Sequence, residues 1–200
     1  MKRKLLIFIL AITSILACFK TTEKKEADKE KSVAADNSQD TTKSEFSVLS
    51  TAFKDNQDIP QKYAMKEASG LNLSPQISWI NLPEGTKSLA LVMFDEHPAA
   101  NKWIHWLVAN IPSSVDSIPE GASPDKISEP AFETNNSFGF EGYGGPQPPK
   151  GSGKHKYIFK LFALRVEKIQ LSQFATLDNL DAAISDKLIK STFFSGYYER

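Results

Sequence analysis

One apolar stretch decides the fold class: Ser88-Leu89-Ala90-Leu91-Val92-Met93-Phe94. A short, nearly continuous apolar run of this kind is expected of a β-strand that is buried on both faces. Two similar runs follow at 103–109 and 157–164, and weaker strand candidates lie at 46–53 and 76–79. Turn-forming clusters such as Leu82-Pro83-Glu84-Gly85 separate the runs. These strands predict a mostly-β domain.

One helix is predicted near the end of the chain. Apolar residues recur there at helical spacing, at Leu177, Leu180, Ile184 and Leu188. Thr176 is suited to the N-cap position, and Lys187 and Lys190 would lie near the C-terminus of the helix, where cations favour the helix dipole. The expected architecture is therefore a mostly-β domain with a C-terminal helix.

Charge and cysteine content exclude several functional classes. The 200 residues contain 24 Lys+Arg and 24 Asp+Glu, and this balance argues against a nucleic-acid-binding protein, which normally carries a basic excess. The chain has one cysteine, so it has neither an intramolecular disulfide framework nor a cysteine-rich zinc site.

The N-terminal region has the pattern of an exported protein. Residues 1–17 combine a basic start with an uncharged apolar stretch, which predicts a signal peptide. Ile15-Leu16-Ala17-Cys18 resembles a bacterial lipobox, so we expect Cys18 to be lipidated; an ordinary signal peptide with an incidental cysteine is the alternative. Residues 18–45 are rich in charge and lack aromatic residues beyond Phe19, which predicts a disordered tether. The protein should be anchored in the cell envelope, with its folded domain at 46–200.

His105 lies in the second apolar run. In a regular strand Trp103, His105 and Leu107 would share one face, which would place an ionisable ring among large apolar side chains. A core histidine with a satisfied hydrogen bond is the alternative interpretation.

Two further segments carry the other histidines. Asp95-Glu96-His97 follows the first strand and could form a pocket rim, although such loops are often merely solvated. The segment 142–157 is rich in Pro and Gly and delivers His155 and Tyr157 to one face of the next strand. Three lysines at 150–156 would make the surroundings cationic, which suits a phosphate or carboxylate ligand; a solvated hairpin loop is the alternative.

Together these segments resemble the phosphatidylethanolamine-binding protein family, in its bacterial Raf-kinase-inhibitor-like branch, over about residues 46–200. The resemblance rests on five segments in order: Asn72-Leu73-Ser74-Pro75-Gln76-Ile77-Ser78-Trp79, Phe94-Asp95, Trp103-Ile104-His105-Trp106 with Asn110-Ile111-Pro112, Gly142-Tyr143-Gly144-Gly145-Pro146, and Gly153-Lys154-His155-Lys156-Tyr157. The ending Gly196-Tyr197-Tyr198-Glu199-Arg200 also resembles the C-terminal Gly-x-Tyr-x-Arg of the family.

The resemblance implies a Greek-key β-sandwich with a small anion pocket. The implied ligand-binding residues are Asp95, His105, His155 and Tyr157, with Glu96, His97, Gly145 and Pro146 as additional candidates. Where the family has Asp-Pro-Asp-Ala-Pro, this chain has Asp95-Glu96-His97-Pro98-Ala99, so a histidine replaces the second acidic residue and Glu96 could stand in for it. Lys156 replaces an arginine, which keeps the charge and loses the bidentate geometry.

We therefore expect a non-enzymatic, membrane-anchored binding protein without cofactor or metal. Its partner would be a phosphate, a phospholipid head group or a similar anion, and a protease or kinase that it inhibits is a further implied partner. One alternative is a zinc-dependent hydrolase that uses Asp95, Glu96, His97, His105 and His155, although the chain lacks both His-Glu-x-x-His and Gly-x-Ser-x-Gly. The other is a structural envelope lipoprotein whose pocket is vestigial.

Overall fold

The computed structural model describes residues 45–200. The predicted signal peptide, the lipidation site Cys18 and all of the predicted tether except Glu45 lie outside the described residues, so those predictions stay predictions. Within residues 45–200, no helix combines the length and the apolar character needed to span a membrane.

Two β-sheets form the domain. The smaller has the strand order β1-β3-β6, and the larger has the order β2-β9-β8-β4-β5-β7. All neighbouring strands in both sheets are antiparallel except β2 and β9. The elements are β1 (Ser47–Leu49), β2 (Gln57–Asp58), β3 (Ile77–Ile80), β4 (Ser88–Asp95), β5 (Ile104–Pro112), β6 (Ser117–Ile118), β7 (Phe132–Glu133), β8 (His155–Leu164), α1 (Leu177–Ile184) and β9 (Leu188–Tyr198).

The central strand β4 is buried on both sides, as the apolar run at 88–94 predicts. Leu89, Leu91 and Met93 pack into a core between the two sheets, which also contains Ile77 of β3. Ala90 and Val92, on the opposite face of β4, pack into a second core that is covered by α1 and the segment before it. The larger sheet is therefore the middle layer, and the predicted mostly-β fold with a C-terminal helix is confirmed.

The helix is shorter than predicted, and a strand follows it. Thr176 is the N-cap, as predicted, and its hydroxyl accepts a hydrogen bond from the backbone N–H of Asn179 at 3.2 Å. The helix ends at Ile184, so the assignment of Leu188 to its apolar face is wrong. Leu188 begins β9, which also contains Lys190 and pairs with β8 over almost its whole length. The backbone N–H and C=O groups of this segment form hydrogen bonds with the neighbouring strand β8. The local spacing of apolar residues does not reveal this pairing.

A β-bulge in β5 changes the direction of His105. Met93 of β4 pairs with Trp106, but the next residue, Phe94, pairs with Ile104, so β5 has one extra residue at this point. Ile104 therefore packs with Leu107 in the helix-side core, while Trp106 lies in the core between the sheets. The expectation that His105 and Leu107 share a face is wrong, because the two residues of a bulge point to the same side of the sheet.

Candidate functional site

The candidate site lies where the ends of three neighbouring strands meet. β4 ends at Asp95, which is paired with Tyr157 near the start of the antiparallel strand β8. His155 lies two residues before Tyr157 on the same face, and the bulge in β5 turns His105 towards both. These four residues line one cavity of about 250 Å³, whose walls also contain Trp103, Phe138, Pro148 and Pro149. The structure thus brings together the four principal residues that the resemblance implies.

Asp95 holds His155 in one orientation. Nδ1 of His155 lies 2.6 Å from Oδ2 of Asp95, and both side chains are almost completely buried. Oδ1 of Asp95 accepts a hydrogen bond of 2.9 Å from the backbone N–H of His97. The other ring nitrogen of His155, Nε2, lies 2.9 Å from the hydroxyl of Ser152. Both carboxylate oxygens and both imidazole nitrogens are therefore engaged within the protein.

His105 is held by the backbone of a neighbouring loop. Its Nδ1 lies 2.6 Å from the carbonyl oxygen of Gly144 and donates to it, and the N–H of Gly144 donates to the His105 carbonyl at 2.8 Å. Burial lowers the pKa of His105 to about 4, so the ring is neutral at pH 7. A neutral ring that donates through Nδ1 leaves Nε2 as an acceptor. Nε2 has no partner among the described residues, so it is free for a ligand or water.

Tyr157 contributes a hydroxyl group that lacks a hydrogen-bond partner. Its ring packs edge-to-face against His105, with 5.1 Å between the ring centroids. The hydroxyl is buried and has no partner within residues 45–200. Burial also raises the pKa of Tyr157 above its ordinary value of 10, so the group stays protonated. An unused donor just beneath the cavity wall is costly to the folded protein and favourable for a ligand that supplies an acceptor.

The loop 142–146 positions His105 from outside the cavity. The N–H of Gly145 donates to Oδ1 of Asn72 at 2.7 Å, and the carbonyl of Pro146 accepts from the N–H of Met65 at 3.2 Å. A Cβ on Gly145 would overlap the carbonyl oxygen of Tyr63. Gly145 and Pro146, both candidates from the sequence, therefore hold the loop and do not line the cavity.

The two other additional candidates also lie beside the cavity. The carboxylate of Glu96 lies 3.5 Å from the ammonium of Lys156, which points to the opposite face of β8 from His155 and Tyr157. His97 does not line the cavity, but its ring stacks on that of His155 with 3.9 Å between the centroids. Asp95 is therefore the carboxylate of the site, and His97 acts on the site through His155.

The expected cationic surroundings are wrong in part. Lys154 pairs with Asp58 at 2.6 Å, and Lys156 pairs with Glu96. Neither these lysines nor Lys150 line the cavity. Since acidic neighbours offset two of the three charges, an anion in this cavity would depend on hydrogen-bond donors more than on a positive field.

Sequence reasoning missed three residues that shape the site. Asn72 holds the loop that carries Gly144, Ser152 contacts His155, and Phe138 forms part of the cavity wall. Asn72 lies within one of the segments that carry the family resemblance, and Ser152 lies directly before another. The sequence therefore places both residues near the expected site, but it does not indicate the contacts that they make. Within residues 45–200, no group of three or more His, Cys, Asp or Glu side chains converges as metal ligands would. The five residues considered for zinc therefore do not form a ligand set.

Comparison with known proteins agrees with the fold. The family model described as phosphatidylethanolamine-binding protein matches residues 49–199. The chain belongs to the phosphatidylethanolamine-binding protein family. The match spans α1, all the residues that line the cavity and every strand except the first two residues of β1.

Relatives within the family come from distant organisms. A UPF0098 protein of Aquifex aeolicus is 36% identical over 153 residues, which is 76% of this chain and 88% of the relative. The crystal structure of Escherichia coli YbcL, described as a member of the mammalian PEBP family, superimposes with a TM-score of 0.72 at 32% identity, covering 78% of this chain and 98% of YbcL. The Mycobacterium tuberculosis protein named "Putative lipoprotein LppC" is 34% identical over 131 residues, covering 66% of this chain and 61% of that protein.

Proposed function

We propose that this member of the phosphatidylethanolamine-binding protein family is a membrane-anchored binding protein whose cavity holds a small anion, either free phosphate or a phospholipid head group. One observation carries the proposal: two imidazoles and an unpartnered phenol converge on one small cavity. His105 and His155 are each held through Nδ1, by Gly144 and Asp95, and Tyr157 supplies an unused hydroxyl. The phenol can donate to an oxygen of the ligand, and Nε2 of His105 becomes a second donor when its ring is protonated.

The charges and hydrogen bonds around the cavity favour binding of an anion together with uptake of a proton. Asp95 is occupied by His155 and by the N–H of His97, so its charge is already offset by donors. His105 is neutral at pH 7 because burial disfavours its imidazolium form. A bound anion favours the imidazolium form, which raises the pKa of His105 and turns Nε2 into a donor. Proton uptake should therefore accompany binding.

The membrane anchor is the part of the proposal that rests on the N-terminal sequence. A lipid on Cys18 would hold the domain at the cell envelope through the charged segment that follows. The name of the Mycobacterium relative is consistent with this location.

Ligand titration followed by NMR tests the binding proposal. Phosphate, sulfate and glycerophosphoethanolamine are added to the full-length protein while the imidazole resonances are followed. We expect resonances of His105 and His155 to shift with each anion in proportion to its occupancy. A stronger response to glycerophosphoethanolamine than to phosphate identifies the head group as the source. No shift at either histidine up to millimolar ligand would contradict the proposal.

The pH dependence of sulfate binding tests the proton uptake, because sulfate itself does not titrate between pH 5 and 8. Since binding raises the pKa of His105, affinity should increase as the pH falls from 8 to 5. Calorimetry in two buffers with different ionisation enthalpies measures the protons taken up. The matched variant His105→Gln should bind sulfate with less proton uptake. Equal uptake in the wild type and this variant would assign the proton to Asp95, His97 or His155 instead.

A further inference from the structure

Three side chains beside the cavity have the arrangement of nucleophile, base and orienting carboxylate. The hydroxyl of Ser152 lies 2.9 Å from Nε2 of His155, and Nδ1 of the same ring lies 2.6 Å from Oδ2 of Asp95. We infer that Ser152 is a nucleophile activated by His155 and Asp95. Small carboxylic esters acylate its hydroxyl, and water then hydrolyses the acyl-serine. This activity goes beyond the proposed binding function and does not depend on it.

The carboxylate and the imidazole are held as a general base requires. Asp95 and His155 are almost completely buried, and the hydrogen bond between them fixes the proton on Nδ1 in the neutral ring. Nε2 is then the unprotonated nitrogen, and it is the one that faces the hydroxyl of Ser152. A base within hydrogen-bond reach of the hydroxyl, and itself oriented by a third group, defines a serine nucleophile irrespective of sequence order.

The local backbone presents Ser152 on a tight turn. Gly151 and Gly153 on either side have φ angles of +76° and +83°, a region that other residues rarely adopt. The hydroxyl donates its hydrogen bond to the carbonyl oxygen of Pro149 at 2.7 Å, so it must turn its proton to Nε2 of His155 before it can act as a nucleophile. Ser152 itself does not line the cavity, but its hydroxyl contacts Pro149 and His155, which do.

Two donors are available to stabilise the oxyanion. The N–H of Gly153 donates to no acceptor within residues 45–200, and an N–H directly after the nucleophile has this role in other serine hydrolases. The hydroxyl of Tyr157 is a second unpartnered donor at the same cavity. Donors held in place before the reaction are the largest electrostatic contribution to acyl transfer.

The reaction is balanced without any external reactant except water. Oγ of Ser152 attacks the carbonyl carbon of the ester, and its proton passes to Nε2 of His155. The C–O bond to the alcohol breaks, and the departing oxygen takes the proton from Nε2. A water molecule then attacks the acyl-serine with His155 as the base, which releases the carboxylic acid and restores the hydroxyl of Ser152.

A purely structural role for Ser152 is the competing interpretation, because its hydroxyl also ties the loop to His155. The two interpretations differ in the response to an ester. The full-length protein is mixed with p-nitrophenyl acetate, the release of nitrophenolate is followed, and the acetylated peptide is identified by mass spectrometry. We expect an initial release of about one equivalent per protein and an acetyl group on Ser152.

Substitutions of Ser152, Asp95 and His155 test the role of each residue in the reaction. Ser152→Ala should abolish acetylation at this loop, and Asp95→Asn or His155→Gln should slow it by about 100-fold or more. The matched control Ser185→Ala, at an exposed serine beyond the end of α1, should leave the rate unchanged. Ser152→Ala changes a partly exposed loop side chain, so its fold is checked by an unfolding midpoint equal to that of the wild type.

Several results would overturn this inference. Acetylation of Lys150, Lys154 or Lys156 in place of Ser152 would show nonspecific aminolysis, and an unchanged rate in Ser152→Ala would exclude the nucleophile. Sulfate binding separates this activity from the binding function. Ser152→Ala should still bind sulfate. If the wild-type protein binds sulfate but is not acylated, the proposed binding function stands and the esterase activity is excluded.

Discussion

Burial of His105 links the stability of the domain to pH. The pKa of His105 is about 4 in the folded protein, whereas its ordinary value is 6.5. Between pH 4 and 6.5 the unfolded chain therefore binds more protons than the folded protein. The free energy of unfolding should therefore decrease as the pH falls from about 6.5 to 4, with a contribution of about 3 kcal/mol from this group. Urea unfolding at pH 7.5 and 4.5 measures the change.

The variant His105→Gln isolates the contribution of this residue, because all other titrating groups remain. The difference in unfolding free energy between pH 7.5 and 4.5 should be smaller by about 3 kcal/mol in the variant than in the wild type. If both proteins lose the same stability on acidification, the buried imidazole is not the group responsible.

Tyr157→Phe should separate ligand binding from folding. The variant removes a buried hydroxyl that has no partner within the described residues, so its free energy of unfolding should stay constant or rise by up to about 1 kcal/mol. Its affinity for phosphate should fall by about tenfold, because one donor to the ligand is lost. Chemical denaturation and calorimetry measure the two effects. Unchanged phosphate affinity would show that the hydroxyl plays no part in binding.

The loop 142–146 depends on a close backbone approach. In Gly145→Ala the new methyl group would overlap the carbonyl of Tyr63, and we expect a loss of about 3 kcal/mol of stability. Displacement of the loop should also weaken phosphate binding, since Gly144 holds His105.

Gly151→Ala is the matched control for this prediction. Nothing lies within 4 Å of the position a Cβ would take there, but φ is +76°, so the variant should lose only about 1 kcal/mol. Denaturation of both variants gives the comparison. Equal losses would mean that the contact of the new methyl group with Tyr63 costs no more than the backbone strain at Gly151.

The strands differ in how much of their position the sequence predicts. The apolar run of β4 and the alternation of His155 and Tyr157 on β8 follow local rules, and both were predicted correctly. The bulge at His105 and the strand β9 were not predicted. Each depends on hydrogen bonds to a neighbouring strand, and these do not alter the local apolar pattern in a recognisable way.

At the level of the whole molecule, the predicted lipid anchor can be tested independently of the domain. Cys18→Ser removes the chain's single cysteine, and we expect it to abolish incorporation of radiolabelled palmitate in a bacterial host. The control Ile15→Leu, a conservative change within the same lipobox-like segment, should be labelled like the wild type. Labelling that persists in Cys18→Ser would contradict the prediction of a lipoprotein. The unfolding midpoint of the domain should be the same in all three proteins.

The sequence by itself determined which carboxylate, imidazole and phenol groups the site could contain, because residue type fixes the functional group of each side chain. The strand runs and the N-cap of the helix were determined in the same way, since both follow local periodicity and capping. Only the tertiary structure decided that His105 faces the cavity, that Glu96 and the lysines do not, and that Ser152 lies against His155. These placements depend on strand register and on contacts between segments far apart in the chain, such as Asp95 and His155, which are 60 residues apart. Register is set by the hydrogen bonds and packing of the complete sheet, so it is a property of the folded domain and of no single segment.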